Sequence, residues 1–197
     1  MAHHFYESRN IETAHFEAAD RFYRKFLHAV HVERYDYSTS GGKRKQKADI
    51  DVALSLADGT IFTVSEKKRT RDFDDLYLEV YSKFPDVQGW TAGSEAGFLA
   101  YFFPKRVFWA GFSQIRRFYR ESLRPKLPEE AFLNLRNGHE RQNAKAETLL
   151  KIAGTSYTVP LIQSYNESDG NTWYTMGISI PFQMLRDNHI RFKIFAL

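Results

Sequence analysis

Four charged residues stand where charge is costly. Asp49, Asp51, Glu66 and Lys68 lie in or beside two apolar runs, in "DIDVALSLADGTIFTVSEKKR" over 49–69, and unpaired charge resists burial. Asp58-Gly59 joins the runs, and Asp-Gly between apolar runs is a strong signal for a hairpin with a two-residue turn. That turn sets Ala57 against Thr60, and so Asp51 against Glu66 and Asp49 against Lys68. Side chains alternate along a strand, so all four would share one face. Directly opposed Cβ atoms are roughly 4.5–5.5 Å apart, which gathers the carboxylates and the ammonium into a compact cluster. Charged strand ends with a cross-strand Asp–Lys pair are an ordinary surface device. A carboxylate facing a carboxylate is not, because it is destabilising unless something lies between. A divalent cation resolves that conflict: Mg²⁺ takes hard oxygen ligands, uses one or two protein carboxylates, and fills its shell with water and substrate phosphate.

The elements that must position this cluster are legible in outline. Strands are expected over about 48–57 and 60–68. Upstream, "IETAHFEAADRFYRKFL" predicts a helix with Phe16, Ala19, Tyr23 and Phe26 at helical spacing, Asn10 as its cap and Glu12 one turn before Phe16. "AVHVERYDY" alternates like a strand, and "STSGGKRKQK" reads as a flexible basic loop. "DFDDLYLEVYSKFP" predicts a helix, with Phe73, Leu76, Tyr77, Val80, Tyr81 and Phe84 as its stripe and Pro85 as its stop. "FLAYFF" and "VFWAGF" are expected to be buried strands, and "SQIRRFYRESL" a helix exposing Arg116, Arg117, Arg120 and Arg124. After Pro125, "PEEAFLNLR" and "ERQNAKAETLLKIA" read as helices. "SYTVPLIQ", "WYTMGISI" and "IRFKIF" read as strands, with a helical turn at "PFQML". This order predicts an α/β fold with a mixed central sheet flanked by helices, followed by a C-terminal α+β extension. One domain is expected over 1–197, with its core at about 10–112 and the extension at about 113–197.

Composition narrows the chemistry. The 197 residues include 43% hydrophobic and 16% aromatic side chains, enough for a substantial core. Cysteine is absent, which removes disulfides and thiolate metal sites and fits a reducing compartment. The start shows no basic segment followed by an apolar one, and the longest apolar runs are too short to span a bilayer. A soluble cytoplasmic protein is expected. The net charge of +4 is mild, but "KRKQK" at 43–47 and "RRFYRESLRPK" at 116–126 concentrate it. The histidines are scattered without metal-helix spacing, no phosphate-binding glycine motif occurs, and "GTSYT" is not a nucleophile elbow.

An acid leading the first hairpin strand (Asp49 or Asp51), a Glu-x-Lys of Glu66-Lys67-Lys68 in the second, and a helical acid upstream together resemble the PD-(D/E)xK nuclease superfamily. Its members include restriction endonucleases, junction resolvases and phage nucleases. The resemblance covers about residues 10–110. One departure is Ala48 before Asp49, where members often carry proline. The resemblance implies a restriction-endonuclease-like core and a Mg²⁺- or Mn²⁺-dependent deoxyribonuclease. Asp51 and Glu66 would hold the metal, with Asp49 as second choice. Lys68 would hold or polarise the attacking water. Glu12 would complete the site from the helix, with Glu17 and Asp20 as alternatives. Lys43, Arg44, Lys45, Lys47, Arg69 and Arg71 are placed to contact phosphates of DNA. Many members act as dimers, so the resemblance admits a homodimer, which no residue of the sequence by itself requires. No organic cofactor and no membrane are expected. The rival expectation is a nuclease-like domain that binds DNA or a protein without cutting.

Overall fold

A computed structural model describes residues 5–197, with side chains from Phe16 onward. The chain is a mixed α/β structure with two sheets and six α-helices among the described residues. The first sheet has strand order β1-β2-β3-β6-β7-β11, and the second β5-β4-β10-β9-β8. Their ranges are β1 His31–Arg34, β2 Val52–Ser55, β3 Ile61–Lys68, β4 Asp75–Lys83, β5 Val87–Gln88, β6 Phe98–Phe102, β7 Arg106–Gly111, β8 Ala144–Ile152, β9 Thr155–Ser168, β10 Asn171–Pro181 and β11 Phe192–Ala196. The helices are α1 Phe5–Leu27, α2 Ser40–Lys47, α3 Trp90–Gly93, α4 Phe112–Phe118, α5 Glu129–Gly138 and α6 Phe182–Asp187. No helix among the described residues is long and apolar enough to cross a membrane.

The first sheet separates two cores. On one face α1 lays Ala19, Phe22 and Tyr23 against Val52, Leu54, Val64, Ala100 and Phe102. These are alternate positions of β2, β3 and β6, as the pleat demands. The other face presents Leu99, Tyr101, Phe108 and Ala110 to a larger core shared with the second sheet, α4 and α5. β1, β2 and β3 form an antiparallel meander, and β3 then runs parallel to β6.

Three expectations are corrected. "DFDDLYLEVYSKFP" forms β4 rather than a helix. Leu76, Leu78 and Val80 are almost fully buried, so the operative period is two, and the Tyr and Val content suits a pleated surface. Apolar residues on both faces of the strand mimic a helical stripe. "ERQNAKAETLLKIA" contains the whole of β8 rather than a helix, again with alternating burial. "STSGGKRKQK" is not a loop: it folds as α2, capped by Thr39, whose Oγ1 accepts from the Gly42 N–H at 2.9 Å. Gly42 is obligatory here, since a Cβ would lie 2.1 Å from the Asp36 carbonyl oxygen. The expected boundary near 112 also cuts across both sheets, because β11 completes the first and β4–β5 belong to the second.

Candidate active site at the junction of the two sheets

The hairpin turn decides which residues meet. Leu56 and Thr60 are opposed, with the Leu56 N–H on the Thr60 carbonyl at 2.9 Å and the Gly59 N–H on the Leu56 carbonyl at 3.1 Å. Gly59 takes φ 84°. This is a three-residue loop closed by a left-handed glycine, the next commonest hairpin after the two-residue turn. Val52 therefore pairs with Val64 and Ser55 with Ile61, one residue away from the expected register. A one-residue slip exchanges the faces of a strand.

The expected Asp51–Glu66 and Asp49–Lys68 oppositions are thus replaced. Lys67, not Lys68, meets the aspartates: its Nζ lies 2.5 Å from Asp49 Oδ1 and 3.9 Å from Asp51 Oδ2. The Ser65 hydroxyl donates to Asp49 Oδ2 at 2.6 Å. Asp51 accepts from the backbone N–H of Glu66 at 2.7 Å and from Gln46 Nε2 at 3.2 Å. Lys68 is exposed at the end of β3. The Glu66 carboxylate lies on the α1 face, bonded by Tyr23 Oη at 2.6 Å and by Arg34 Nη1 at 2.9 Å.

Asp49 and Asp51 do not begin a strand. α2 ends in a Schellman motif: the Ile50 N–H bonds the Lys45 carbonyl and the Asp49 N–H bonds the Gln46 carbonyl. Asp49 holds the left-handed position of that motif, at φ 55°. Glycine is the usual occupant, because a Cβ is unfavourable there. The aspartate gains a side chain aimed at Ser65 and Lys67.

A further acid comes from the second sheet. Asp75, Tyr77 and Glu79 occupy the β4 face turned toward β3. Arg69 bonds Asp75 and, at 3.0 Å, the Ser179 hydroxyl of β10. Glu79 Oε1 accepts from the Trp90 N–H at 3.3 Å, and Lys67 Nζ sits 5.3 Å from the centre of the Trp90 ring. Gly89 permits this arrangement, since a Cβ there would lie 2.3 Å from the Glu79 carbonyl oxygen. Burial raises the Glu79 carboxyl above the ordinary range, opposed by the Trp90 N–H and Lys67 and reinforced by Asp49. Burial likewise raises Asp51, against the pull of Lys67. Two carboxylates thus pair with one ammonium whose charge also reaches a third, and burial has lifted two of the three.

The other expected residues fall as follows. Glu12 lies in the stretch of α1 whose side chains are outside the described residues. Glu17 pairs with Arg21 at 3.9 Å on the exposed side of α1, and Asp20 binds Arg34 at 2.6 Å. Lys43, Arg44, Lys45 and Lys47 are exposed on α2, directly before Asp49, and Arg71 is exposed beyond β3. Arg69 is committed to Asp75 and Ser179. Arg116 and Arg120 bond the Ser94 and Ala92 carbonyls at the end of α3, and Arg124 bonds Glu129. An open groove of about 760 Å³ lies elsewhere, between α1, the end of β7 and β11, and contains none of these acids.

Sequence reasoning missed Lys67 and Glu79. Lys67 follows from Asp58-Gly59 once the three-residue loop is considered. Glu79 follows from reading Leu76, Leu78 and Val80 with period two, which puts Asp75, Tyr77 and Glu79 together on the opposite face.

As the side chains stand, no three His, Asp or Glu residues among those described converge tightly enough to enclose an ion. Two do approach one point, where Asp49 and Asp51 flank Lys67. That donor set fits a Mg²⁺ or Mn²⁺ site, which needs one or two protein carboxylates. Comparison with protein-family models, curated proteins and solved structures finds no match.

Proposed function

We propose that this chain is a metal-dependent nuclease hydrolysing phosphodiester bonds in DNA, built on a restriction-endonuclease-like core. The carrying observation is the excess of carboxylate at the sheet junction: Asp49, Asp51 and Glu79 around Lys67, with burial raising Asp51 and Glu79. The order α1, β1, β2, β3, then β6 parallel to β3, supports the fold assignment. The departure from the expected core is that β4 and β5 accompany α3 between β3 and β6.

Asp49 and Asp51 would hold Mg²⁺ or Mn²⁺, with Glu79 completing the acid set from the second sheet. The bound ion would polarise a phosphodiester oxygen and lower the pKa of coordinated water. Lys67, held by Asp49 and the Trp90 face, takes the role expected of Lys68: it offsets negative charge and positions a water by hydrogen bonding. Ser65 and the α2 Schellman turn fix Asp49. Lys43, Arg44, Lys45 and Lys47 border the cluster through α2 and supply contacts for flanking phosphates. This reading assigns the protein to the cytoplasm, and a homodimer would set one site on each strand.

The test is cleavage of supercoiled, linear, single-stranded and branched DNA with Mg²⁺, Mn²⁺ or EDTA. Metal-dependent cleavage is expected from wild type and Lys68→Ala, and not from Lys67→Ala or Asp51→Asn. Absence of cleavage on every substrate, or equal cleavage by the Lys67 and Asp51 variants, refutes the reading. A second reading, a nuclease-like domain that binds DNA without cutting, has one observation in its favour. Two residues before Lys67, on the same face, stands Ser65 rather than an acid. DNA retention by wild type without metal-dependent cleavage would establish it.

A further inference from the structure

Glu66 is the acid that the Glu-x-Lys pattern assigns to the metal, and its surroundings fit a different role. Its side chain is only 7% exposed. One oxygen accepts from Tyr23 Oη at 2.6 Å and from Arg34 Nη2 at 3.3 Å, and the other accepts from Arg34 Nη1 at 2.9 Å. Arg34 is fixed in turn by Asp20, which accepts from Nη2 at 2.6 Å and from Nε at 3.1 Å, and by the Phe16 ring at 4.4 Å. Burial, then the Glu66 carboxylate, push the Tyr23 phenol far above its ordinary value, so it remains a hydrogen-bond donor at any working pH. Glu66 already has a charge partner and a neutral donor. Ligating an ion beside Asp51 would break both interactions and leave the Arg34 charge half-buried with a single acid.

What Glu66 offers the candidate site is its backbone. The N–H of Glu66 donates to Asp51 Oδ2 at 2.7 Å. The side chain of the same residue ties β3 to α1 through Tyr23 and to β1 through Arg34.

We infer that Glu66 is a positioning residue and not a metal ligand: the Tyr23–Glu66–Arg34–Asp20 network locks β3 so that the Glu66 N–H orients Asp51. The inference rests on the metal-dependent reading of Asp49, Asp51 and Lys67.

The experiment compares Mn²⁺ binding, by electron paramagnetic resonance of the free ion, with DNA nicking in wild type, Asp51→Asn, Glu66→Gln and Glu66→Ala. Glutamine keeps an acceptor for Tyr23 and Arg34 but is a poor metal ligand. Glu66→Gln is expected to bind Mn²⁺ within about threefold of wild type, well under one decade. Asp51→Asn is expected to lose about tenfold or more. Glu66→Ala is expected to fall between them, so the conservative variant rescues the truncation. Equal losses in Glu66→Gln and Glu66→Ala, as large as in Asp51→Asn, overturn the inference. Should Glu66→Ala fail to fold, the Arg34→Met/Glu66→Met pair replaces it, because a buried ion pair exchanged for apolar side chains of similar volume is tolerated. Retained Mn²⁺ binding in that pair supports the positioning role, and loss with a native melt refutes it. A wild type that binds no Mn²⁺ removes the metal-site reading, and this inference with it. Mn²⁺ binding without nicking removes only the nuclease activity.

Discussion

Replacing Lys67 by methionine is the sharpest perturbation, because it separates adjacent lysines to which sequence and structure assign opposite places. Methionine keeps the stem against Trp90 and removes the ammonium. The Lys67 and Asp49 side chains are 21% and 20% exposed, with charges 2.5 Å apart. Fully exposed ion pairs contribute about 0–1 kcal/mol, and breaking a fully buried one costs about 3–5 kcal/mol. A pair between those limits should cost about 2 kcal/mol at neutral pH. For a chain of this size that is roughly 4–8 °C in Tm. Lys68→Met, at an exposed position, should stay within about 0.5 kcal/mol of wild type. The pH dependence carries a definite sign. Burial raises Asp51 and Glu79 above their ordinary values of 3.8 and 4.5. An acid whose pKa rises on folding contributes stability that is complete below its unfolded pKa and is lost as pH climbs through the folded one. Lys67 opposes both shifts, so removing it raises them further. The deficit of Lys67→Met should be largest at pH 7 and shrink as pH falls toward about 4. Urea unfolding from pH 4 to 8 measures it directly. Millimolar Mg²⁺ should restore more stability to Lys67→Met than to wild type. A deficit no larger than that of Lys68→Met, or one that does not shrink on acidification, refutes the charge assignment.

Gly89→Ala should destabilise by about 1–3 kcal/mol in thermal unfolding, the range for forced overpacking, since the new Cβ would lie 2.3 Å from the Glu79 carbonyl oxygen. Asp49→Gly should unfold at higher denaturant than Asp49→Ala by about 1 kcal/mol, because both lose the charge but only glycine accepts the left-handed backbone without strain. Alanine at Lys43, Arg44 and Lys47 together should flatten the salt dependence of duplex binding, measured by fluorescence anisotropy, by up to about three units of slope. A chain ending at Phe112 should show no cooperative urea transition by circular dichroism. β4 loses β10 as its neighbour and uncovers Leu76, Leu78 and Val80, at about 1.5–3 kcal/mol each.

Most of the first sheet was legible because its signals are local. α1, β1, β6 and β7 follow from stripes and apolar runs within single segments, and so do β9, β10 and α6. Two failures share a cause. In "DFDDLYLEVYSKFP" and "ERQNAKAETLLKIA", apolar residues fall at both period two and spacings of three and four, and tertiary burial chose between them. β4 is covered on both faces, so its sequence never shows clean polar–apolar alternation. α2 was missed because two glycines and four cations argue against a helix by propensity. What holds it is a cap at Thr39, a close approach at Gly42 and a Schellman end at Asp49. The candidate site was half legible. Asp49 and Asp51 were found from their position, but their partner depended on a turn for which Asp-Gly allows two loop lengths.

That one-residue difference reorganises the chemistry because β3 is a partition between two charged clusters. Toward α1, Glu66 and Asp20 share Arg34, and Glu66 also accepts from Tyr23. Toward the second sheet, Asp49 and Asp51 pair with Lys67, whose charge also acts on Glu79, and burial has raised two of the three acids. A strand whose successive residues are Glu66 and Lys67 must send one to each side. The register therefore decides which cluster is neutralised and which is left short of cation. The second sheet is then part of the site and not an appendage. β4 supplies Glu79, and β10 anchors β4 along Asp75–Tyr81, bonds Arg69 through Ser179, and admits the Tyr77 ring over Gly177. In the proposed reading, the placement of Asp49 and Asp51 rests on both the α1 network behind β3 and the β10-supported face of β4 before it. A site built this way requires residues from Asp20 to Ser179 to be in place together.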